Sequence, residues 1–449
     1  MVGTLIKTEQ KQEHLWHALN RFNPETRPMV VSHGEGAWFT AESGEKYFDG
    51  VSGLWCLNLG HGQKEIVEAA ANTMMNLSYS PLTLSHQPAI DLSAKISETL
   101  GASYKTFFAN SGSEANETAF KIARQYHKQN GNPEKYKIIS RYRAYHGTTL
   151  GALSATAQAN RRMKYDPGVP GFLHVVPPYS YRCMFDKGGE GSDLIAADML
   201  EQTIVWEGEE TVAAVIMEPI ISGGGVLVPS PKYLQRVQAI CEKYDVLLIM
   251  DEVVSGFGRT GKMFGFMHSE GVQPDIVTMA KGLTSGYLPL GATAVQSYIY
   301  EKFKGDDQHD HFRHVSTYGG HPASCAVALK NIEIIEREQI VDRVEKLGNQ
   351  ILDRLRQLEN LPYVGECRRA GFLCGIELVE NKLTKAPASD EKVDFVIQEC
   401  KKKGIIIGKN GDTVPGYSNV LIIAPPLISK EEDLQWVVDV VTEAIQKLV

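Results

Sequence analysis

The stretch Val246-Leu247-Leu248-Ile249-Met250-Asp251-Glu252 runs through five apolar residues and then turns abruptly to two acids. A second run, Ile276-Val277-Thr278-Met279, leads into Ala280-Lys281-Gly282. Neither run alternates between polar and apolar. That is how a strand buried on both faces of a mostly parallel sheet reads. Similar runs occur at 106–109, 136–140, 212–217 and 292–295. Helical patterns separate them, at 115–128 with Ala115, Ala119, Ile122 and Tyr126 on one face, and at 231–244. This alternation predicts an α/β layered domain. The C-terminal part differs. A long helix over 323–357 precedes short strands at 373–378, 405–407 and 420–423, and an amphipathic helix over 430–447 closes the chain. That pattern predicts a smaller α+β domain. The polar stretches 188–192, 305–311 and 409–419 read as loops.

With 449 residues, the chain has room for two or three domains at about 150 residues each. Hydrophobic residues at 43% and charged residues at 22% exclude wholesale disorder. Lys and Arg number 46 against 54 acids, a net charge of −8, which argues against a nucleic-acid or anionic-membrane binder. It leaves room for a local basic pocket. The cysteines Cys56, Cys183, Cys241, Cys325, Cys367, Cys374 and Cys400 are odd in number and scattered, so neither a disulfide framework nor a structural zinc site is expected. The N-terminus carries Lys7, Glu9, Lys11 and Glu13 and has no apolar core of a signal peptide. The longest apolar runs are strand-length, far below the roughly 20 residues of a membrane span. A soluble cytoplasmic protein is expected.

Four features fall at the carboxyl ends of predicted strands, where open α/β sheets bind ligands. Asn110-Ser111-Gly112-Ser113-Glu114-Ala115-Asn116 joins a strand to a helix, and small residues at a helix N-terminus expose N–H groups to an anion. The plainer reading is a capping box, Ser111-x-x-Glu114. Asp251 ends a buried strand, where a carboxylate needs a cationic or N–H partner; a helix cap or structural ion pair would also satisfy it. Lys281 directly follows a buried strand and is a candidate Schiff-base amine, although isolated lysines more often snorkel to the surface. Tyr145-His146-Gly147-Thr148 offers an aromatic to stack on a planar ligand, or simply a core tyrosine. Each signal is weak alone. Together they describe an anion cradle, a buried acid, a strand-end lysine and a stacking ring, the four requirements of pyridoxal 5'-phosphate (PLP).

Gly256-Phe257-Gly258-Arg259-Thr260-Gly261 matches the dinucleotide fingerprint G-x-G-x-x-G. However, Asp251 to Ser255 intervene after the strand and no helix opens at the glycines, so a nicotinamide-dependent oxidoreductase is disfavoured. His309, His311 and His314 sit in a polar loop and read as solvated, with no metal expected.

In order along the chain, Gly53-Leu54-Trp55-Cys56-Leu57-Asn58-Leu59-Gly60-His61-Gly62, residues 110–116, Tyr145-His146-Gly147, Glu218-Pro219, residues 251–261 and 280–291, Thr317-Tyr318-Gly319-Gly320-His321-Pro322 and Ala424-Pro425-Pro426-Leu427 resemble the class III PLP-dependent aminotransferases of fold type I. Within them, the chain is most similar to the omega-amino acid or amine:pyruvate group. The resemblance implies a large domain with a mostly parallel seven-stranded sheet and a smaller α+β domain built from both chain ends. The expected spans are 1–60 for an N-terminal segment packing with the small domain, 61–325 for the PLP domain and 326–449 for the small domain.

By the same resemblance, Lys281 would bind the cofactor covalently and shuttle the proton, and Asp251 would pair with the pyridine nitrogen. Tyr145 would stack on one ring face and Val253 on the other. Ser111, Gly112 and Ser113 would hold the phosphate, with Thr317 reaching the phosphate of a neighbouring subunit. His146 and Glu218 would lie near the ring. Trp55 would wall the substrate pocket together with Tyr145, unless it is a plain core aromatic. A homodimer or tetramer with the cofactor site at the subunit interface is implied, acting on a small-molecule amine donor and a keto-acid acceptor.

Two departures bear on the substrate. Ornithine- and GABA-type relatives read E-P-I-Q-G-E-A-G, whereas this chain has Glu218-Pro219-Ile220-Ile221-Ser222-Gly223-Gly224-Gly225, with Gly223 in place of a gating glutamate. Many amine:pyruvate relatives carry a mobile arginine before a Gly-Asp pair, and here Gly408 stands in that place. Acid-group recognition is therefore expected from Lys409, Arg182 or Arg141. The expected reaction is ping-pong transfer from a primary amine or omega-amino acid, such as taurine or beta-alanine, to pyruvate. The alternatives are diaminopelargonate synthesis, an aminomutase and a non-catalytic relative.

Overall fold

Seven strands form one sheet in the computed structural model: β1 (Tyr104–Ala109), β2 (Lys137–Arg141), β3 (Phe172–Val175), β4 (Val212–Met217), β5 (Leu247–Asp251), β6 (Ile276–Met279) and β7 (Gly291–Gln296). Their order is β1-β7-β6-β5-β4-β2-β3. The structure describes residues 14–19, 28–185, 191–411 and 413–448; the N-terminal charges at 7–13 and the expected loop at 188–190 lie outside them. Strands β3, β2, β4, β5 and β6 run parallel, and β7 is antiparallel to both β6 and β1.

The continuous apolar runs have a direct cause. Every residue of β4 and β5 is buried. Alternate residues serve two separate cores. Ala214, Ile216, Leu247 and Ile249 pack with Ala119, Ile122 and Tyr126 of helix Gly112–Gln129. Val215, Met217, Leu248 and Met250 pack with Tyr233, Leu234 and Val237 of helix Pro231–Lys243. Each such Val, Leu, Ile or Met side chain contributes about 1.5–3 kcal/mol by leaving water.

The chain ends meet in a second body. Strands Val31–Glu35, Trp38–Ala41 and Lys46–Asp49 form an antiparallel meander, and the last pairs in parallel with Ile405–Ile406. Strands Val364–Ala370, Leu373–Asn381, Val420–Ile423 and Gly408–Lys409 form the other small sheet. Helices Asp390–Lys402 and Glu431–Gln446 close over them, and Trp38 stacks on Trp436 at 5.6 Å.

The structure corrects two readings. The helix expected over 323–357 is two helices, Pro322–Arg337 and Ile340–Leu358, because Gln339 takes a left-handed φ of 50° that a helix cannot contain. Strand β3 was not expected from the sequence; it is a four-residue edge strand with half-exposed residues. Among the described residues, no helix is long and apolar enough to cross a membrane.

The glycine-rich turn after β5 is a tie between the two bodies. Glu252, buried, accepts from the N–H groups of Gly265 and Phe266, both at 2.8 Å, which holds the turn's far end. Arg259, fully buried at its tip, donates to Ser52 Oγ at 3.0 Å, to Asn58 Oδ1 at 2.9 Å and to the carbonyl of Pro425. Burial pushes its pKa down to about 10. One guanidinium thus ties the N-terminal segment, the turn and the C-terminal strand exit. Arg259→Met should cost about 3 kcal/mol of unfolding free energy, because three buried acceptors lose their donor. Urea denaturation checks this as a lower midpoint at unchanged slope.

Candidate active site

The cavity at the carboxyl ends of β1, β5 and β6 has a volume of about 480 Å³. Most of its polar wall comes from turns that follow sheet strands. After β1, Ser111 caps helix Gly112–Gln129, its Oγ accepting from Glu114 N at 3.2 Å, while Glu114 Oε2 accepts from Asn110 N at 2.7 Å. The serine cap is therefore real, although Glu114 reaches the N–H of Asn110 rather than that of Ser111 itself, as a capping box would. The cap coexists with the cradle, since Ser111, Gly112 and Ser113 all line the cavity. A Cβ on Gly112 would stand 2.9 Å from both Val253 methyl groups, so only glycine lets the helix start this close to the β5 exit.

Asp251 lies at the end of β5, buried, and lines the cavity. His146 Nδ1 is 2.8 Å from its Oδ2, and the carboxylate identifies that nitrogen as the protonated one. Asn116 donates to the same Oδ2 at 2.9 Å and also holds the carbonyl of His146 at 2.6 Å. The N–H of Val253 donates to Oδ1 at 3.1 Å. Three elements thus converge on one carboxylate. Two buried polar atoms beside it, His146 Nε2 and Asn116 Oδ1, have no hydrogen-bond partner.

Lys281 opens a single helical turn directly after β6 and has a φ of 45°, a strained value for a lysine. Burial holds its amine below the ordinary lysine range, while the neighbouring Cys56, Asp251 and Glu218 pull the other way. Its Nζ lies 5.2 Å from the centre of the Trp55 ring. Trp55 itself sits at φ 59° in a kinked turn, and it both lines the cavity and packs against the small core of Ile220, Val226 and Leu373.

Glu218 follows β4 and accepts from Tyr145 N at 3.2 Å and from Ser222 N at 3.0 Å, and burial raises its pKa. It thereby joins the Tyr145 turn to the Gly223 segment. Tyr145, Val253, His146 and Gly223 all line the same cavity. A Cβ on Gly223 would lie 3.4 Å from Trp55 Cη2, so a longer side chain there would fill the space beside the tryptophan.

The sequence-derived residues Lys281, Asp251, Ser111, Gly112, Ser113, Tyr145, His146, Glu218, Val253 and Trp55 therefore share one cavity. Thr317 does not line it; it is exposed, and its carbonyl accepts from Tyr79 Oη at 2.8 Å. The expected acid-binding residues divide. Arg141 is wholly buried, donates to the carbonyl of Glu218 and stacks on Tyr233. Arg182 pairs with Glu377. Neither lines the cavity. Lys409 does, as does Arg161, which sequence reasoning missed. Arg161 lies over the Tyr145 ring at 5.2 Å and donates to Gln158 Oε1 at 3.1 Å. Its four-residue helix Ala159–Arg162 carries no motif. Asn116 was also missed as a site residue, although it lies one turn beyond Ser113 on the same helix. Of the histidine cluster, His314 is engaged with Phe107 at 5.3 Å and Thr118 at 3.2 Å.

Buried carboxylate, half-buried strand-end amine and serine-glycine helix start fit PLP: a cationic ring nitrogen for Asp251, a carbonyl for Lys281 and a phosphate for Ser111 to Ser113. The comparisons with known proteins agree with this chemistry. Over 440 residues the chain is 53% identical to an uncharacterized aminotransferase, YhxA, of Bacillus subtilis (strain 168), covering 98% of this chain and 96% of that one. It is 40% identical to a taurine–pyruvate aminotransferase of Bilophila wadsworthia, over 95% of this chain and 94% of the other. A solved Bacillus anthracis aminotransferase superposes with a TM-score of 0.94 at 48% identity, covering 98% of this chain and all of that one. Residues 21–445 match the family described as aminotransferase class-III, a PLP-dependent family, and the chain is a member of it.

Proposed function

We propose that this chain moves an amino group from a small omega-amino acid with a terminal acid group, such as taurine or beta-alanine, to pyruvate. The observation that carries this reading is the makeup of one cavity. The amine Lys281 and the carboxylate Asp251 stand in it together with two cations, Arg161 and Lys409. Lys409 also pairs with Asp394 at 2.6 Å, and Asp394 is more than half exposed. Such a pair is worth no more than about 1 kcal/mol, so a substrate anion can displace it.

PLP, once bound, would supply a ring that withdraws electrons from the substrate's reacting carbon. The residues supply the rest. Asp251, held in place by donors from His146, Asn116 and Val253, would pair with the ring nitrogen. Ser111, Gly112 and Ser113 would bind the phosphate at the start of an 18-residue helix, whose dipole favours an anion. Tyr145 and Val253 would face the two sides of the ring. Lys281, its amine made easier to deprotonate by burial, would attach the cofactor and then take and return the proton at the reacting carbon. Glu218 would fix the Tyr145 turn. Trp55 would wall the substrate side, where Gly223 leaves room.

Thr317 would complete the phosphate site of a second copy in a homodimer. Beside it lie exposed aromatic residues, with Tyr318 64% and Tyr79 39% accessible, and their rings meet at 6.1 Å. A patch of this kind marks an association surface.

The purified protein is expected to absorb visible light. Borohydride should bleach it and leave a reduced adduct on Lys281, mapped by peptide mass spectrometry; a colourless protein that binds NADH would overturn the reading. Lys281→Ala and Asp251→Asn should each lower kcat at least about a hundredfold, the scale of a lost acid–base group. Near-normal turnover of Lys281→Ala would refute its role. Arg161→Leu should raise KM for taurine or beta-alanine about tenfold to a hundredfold, matching the roughly 1.5–3 kcal/mol of a charge-assisted hydrogen bond. Phenylethylamine, which has no acid group, should be unaffected in KM. Assays with pyruvate and 2-oxoglutarate compare the acceptors, and a preference for 2-oxoglutarate would overturn the acceptor assignment.

A further inference from the structure

Lys409 and Arg161 reach the cavity from opposite bodies of the fold, so something must set where one stands relative to the other. Between the paired strands Gly408–Lys409 and Val420–Ile423, the chain makes an excursion over the large domain. Excursions of this kind are usually exposed and loosely held. This one is not. Thr413 is wholly buried and Asn410 nearly so.

The polar groups of both residues are engaged. Thr413 Oγ1 donates to the carbonyl of Asn410 at 2.6 Å and lies 3.5 Å from the carbonyl of Gly223. Its own carbonyl accepts from Ala159 N at 2.9 Å. That N–H opens the helical turn that bears Arg161. The Asn410 side chain donates to the carbonyl of Tyr417 at 2.9 Å and accepts from Val420 N at 2.9 Å.

The Tyr417 ring is held from the other side. The guanidinium of Arg143 lies 5.5 Å from its centre and that of Arg182 lies 5.4 Å away. Arg143 connects both ends of the arrangement. Its carbonyl accepts from Gln158 at 2.9 Å, and Gln158 in turn accepts from Arg161 at 3.1 Å. A largely satisfied, mostly buried polar network of this kind gives rigidity.

We propose that Thr413 and Tyr417 are specificity-positioning residues, which lock the excursion that directly follows Lys409 onto the helical turn bearing Arg161, so that the backbone carrying each cation of the acid-binding end is held in place. This rests on the acid-recognising reading above. It predicts that the loss of either pin weakens binding of acid-bearing substrates while the chemistry persists.

The test uses holoenzyme and the donor half-reaction alone, followed by the cofactor's absorbance with no acceptor present. Beta-alanine carries the acid group and butylamine lacks it. Thr413→Val keeps the shape and removes the hydroxyl. It should raise the half-saturating concentration of beta-alanine about tenfold, with butylamine shifted less than about twofold and both limiting rates retained. Tyr417→Leu should act in the same direction, and Thr413→Ser should restore beta-alanine to near the wild-type value. Equal shifts for both donors, or none for either, would overturn the proposal.

Hydrogen–deuterium exchange over residues 409–420 gives a readout that does not depend on the donor. Exchange should be slow in wild type and faster in Thr413→Val; equal exchange would also overturn the proposal. If wild type does not favour beta-alanine over butylamine, the substrate reading fails, and the exchange comparison still decides whether Thr413 pins the excursion.

Discussion

The cost of burying the Asp251 carboxylate organises this molecule. Strand β5 is apolar to its end, and the acid that follows has left water. An unpaired buried charge would neutralise itself or unfold its surroundings. The fold answers with His146 from the turn after β2, Asn116 from the helix after β1 and the N–H of Val253 from the strand's own exit. Three chain segments distant in sequence are thereby drawn to one point. Glu218 and Glu252 are also buried nearby, and burial pushes the Glu252 carboxyl up to about 8. Three acids stand in this region close to the amine of Lys281. A cationic ring nitrogen next to Asp251 improves that local balance, and so does a lysine close by.

The glycine-rich turn illustrates how one constraint leads to another. Asp251 and Glu252 are adjacent, so their side chains point to opposite faces of the strand. Asp251 serves the cavity. Glu252 turns away and finds the N–H groups of Gly265 and Phe266, which shapes the turn between them. The turn then carries Arg259 to the junction of both chain ends. The glycines serve close backbone approach: a Cβ on Gly256 would stand 2.8 Å from the carbonyl of Glu252. A resemblance to a dinucleotide loop arises here from packing alone.

What could be read from the sequence follows from what each element touches. Strands β4, β5 and β6 are sandwiched between two layers, and sandwiched strands must be apolar throughout, so they stood out. Strand β3, at the sheet's edge with one side half-exposed, lacks that signature. The break at Gln339 has no glycine or proline to announce it, and apolar periodicity continues on both sides. At the site, the residues legible in advance lie directly after strands, where chain order alone sets position. Arg161 and Gln158 were not legible, because their place depends on the Gln158–Arg143 contact across a turn. Arg141 and Arg182 misled for the opposite reason: an arginine near the site in sequence can be consumed by structural partners, here Glu218 and Glu377.

The charge of the whole chain says little about the pocket. A net −8 suggests poor affinity for anions. Yet Arg143, Arg182 and Arg368 gather behind the Gly223 to Gly225 segment, where Arg143 and Arg368 hold the carbonyls of Gly224 and Gly225. Their acidic partners there are Glu366 and Glu377, and the arginine charge holds the Glu377 carboxyl below the usual range despite burial. Three guanidiniums against two carboxylates leave one positive charge in excess, inside a medium that screens poorly. Arg161 and Lys409 add to it at the cavity wall. The field seen by a small acid entering the cavity is set by these few groups at short range, while the surface acids that dominate the total are screened by solvent and salt within about 10 Å. An acidic protein can thus hold a local excess of cations beside one wall of its cavity, with Arg161 and Lys409 at the wall and the buried arginines behind it.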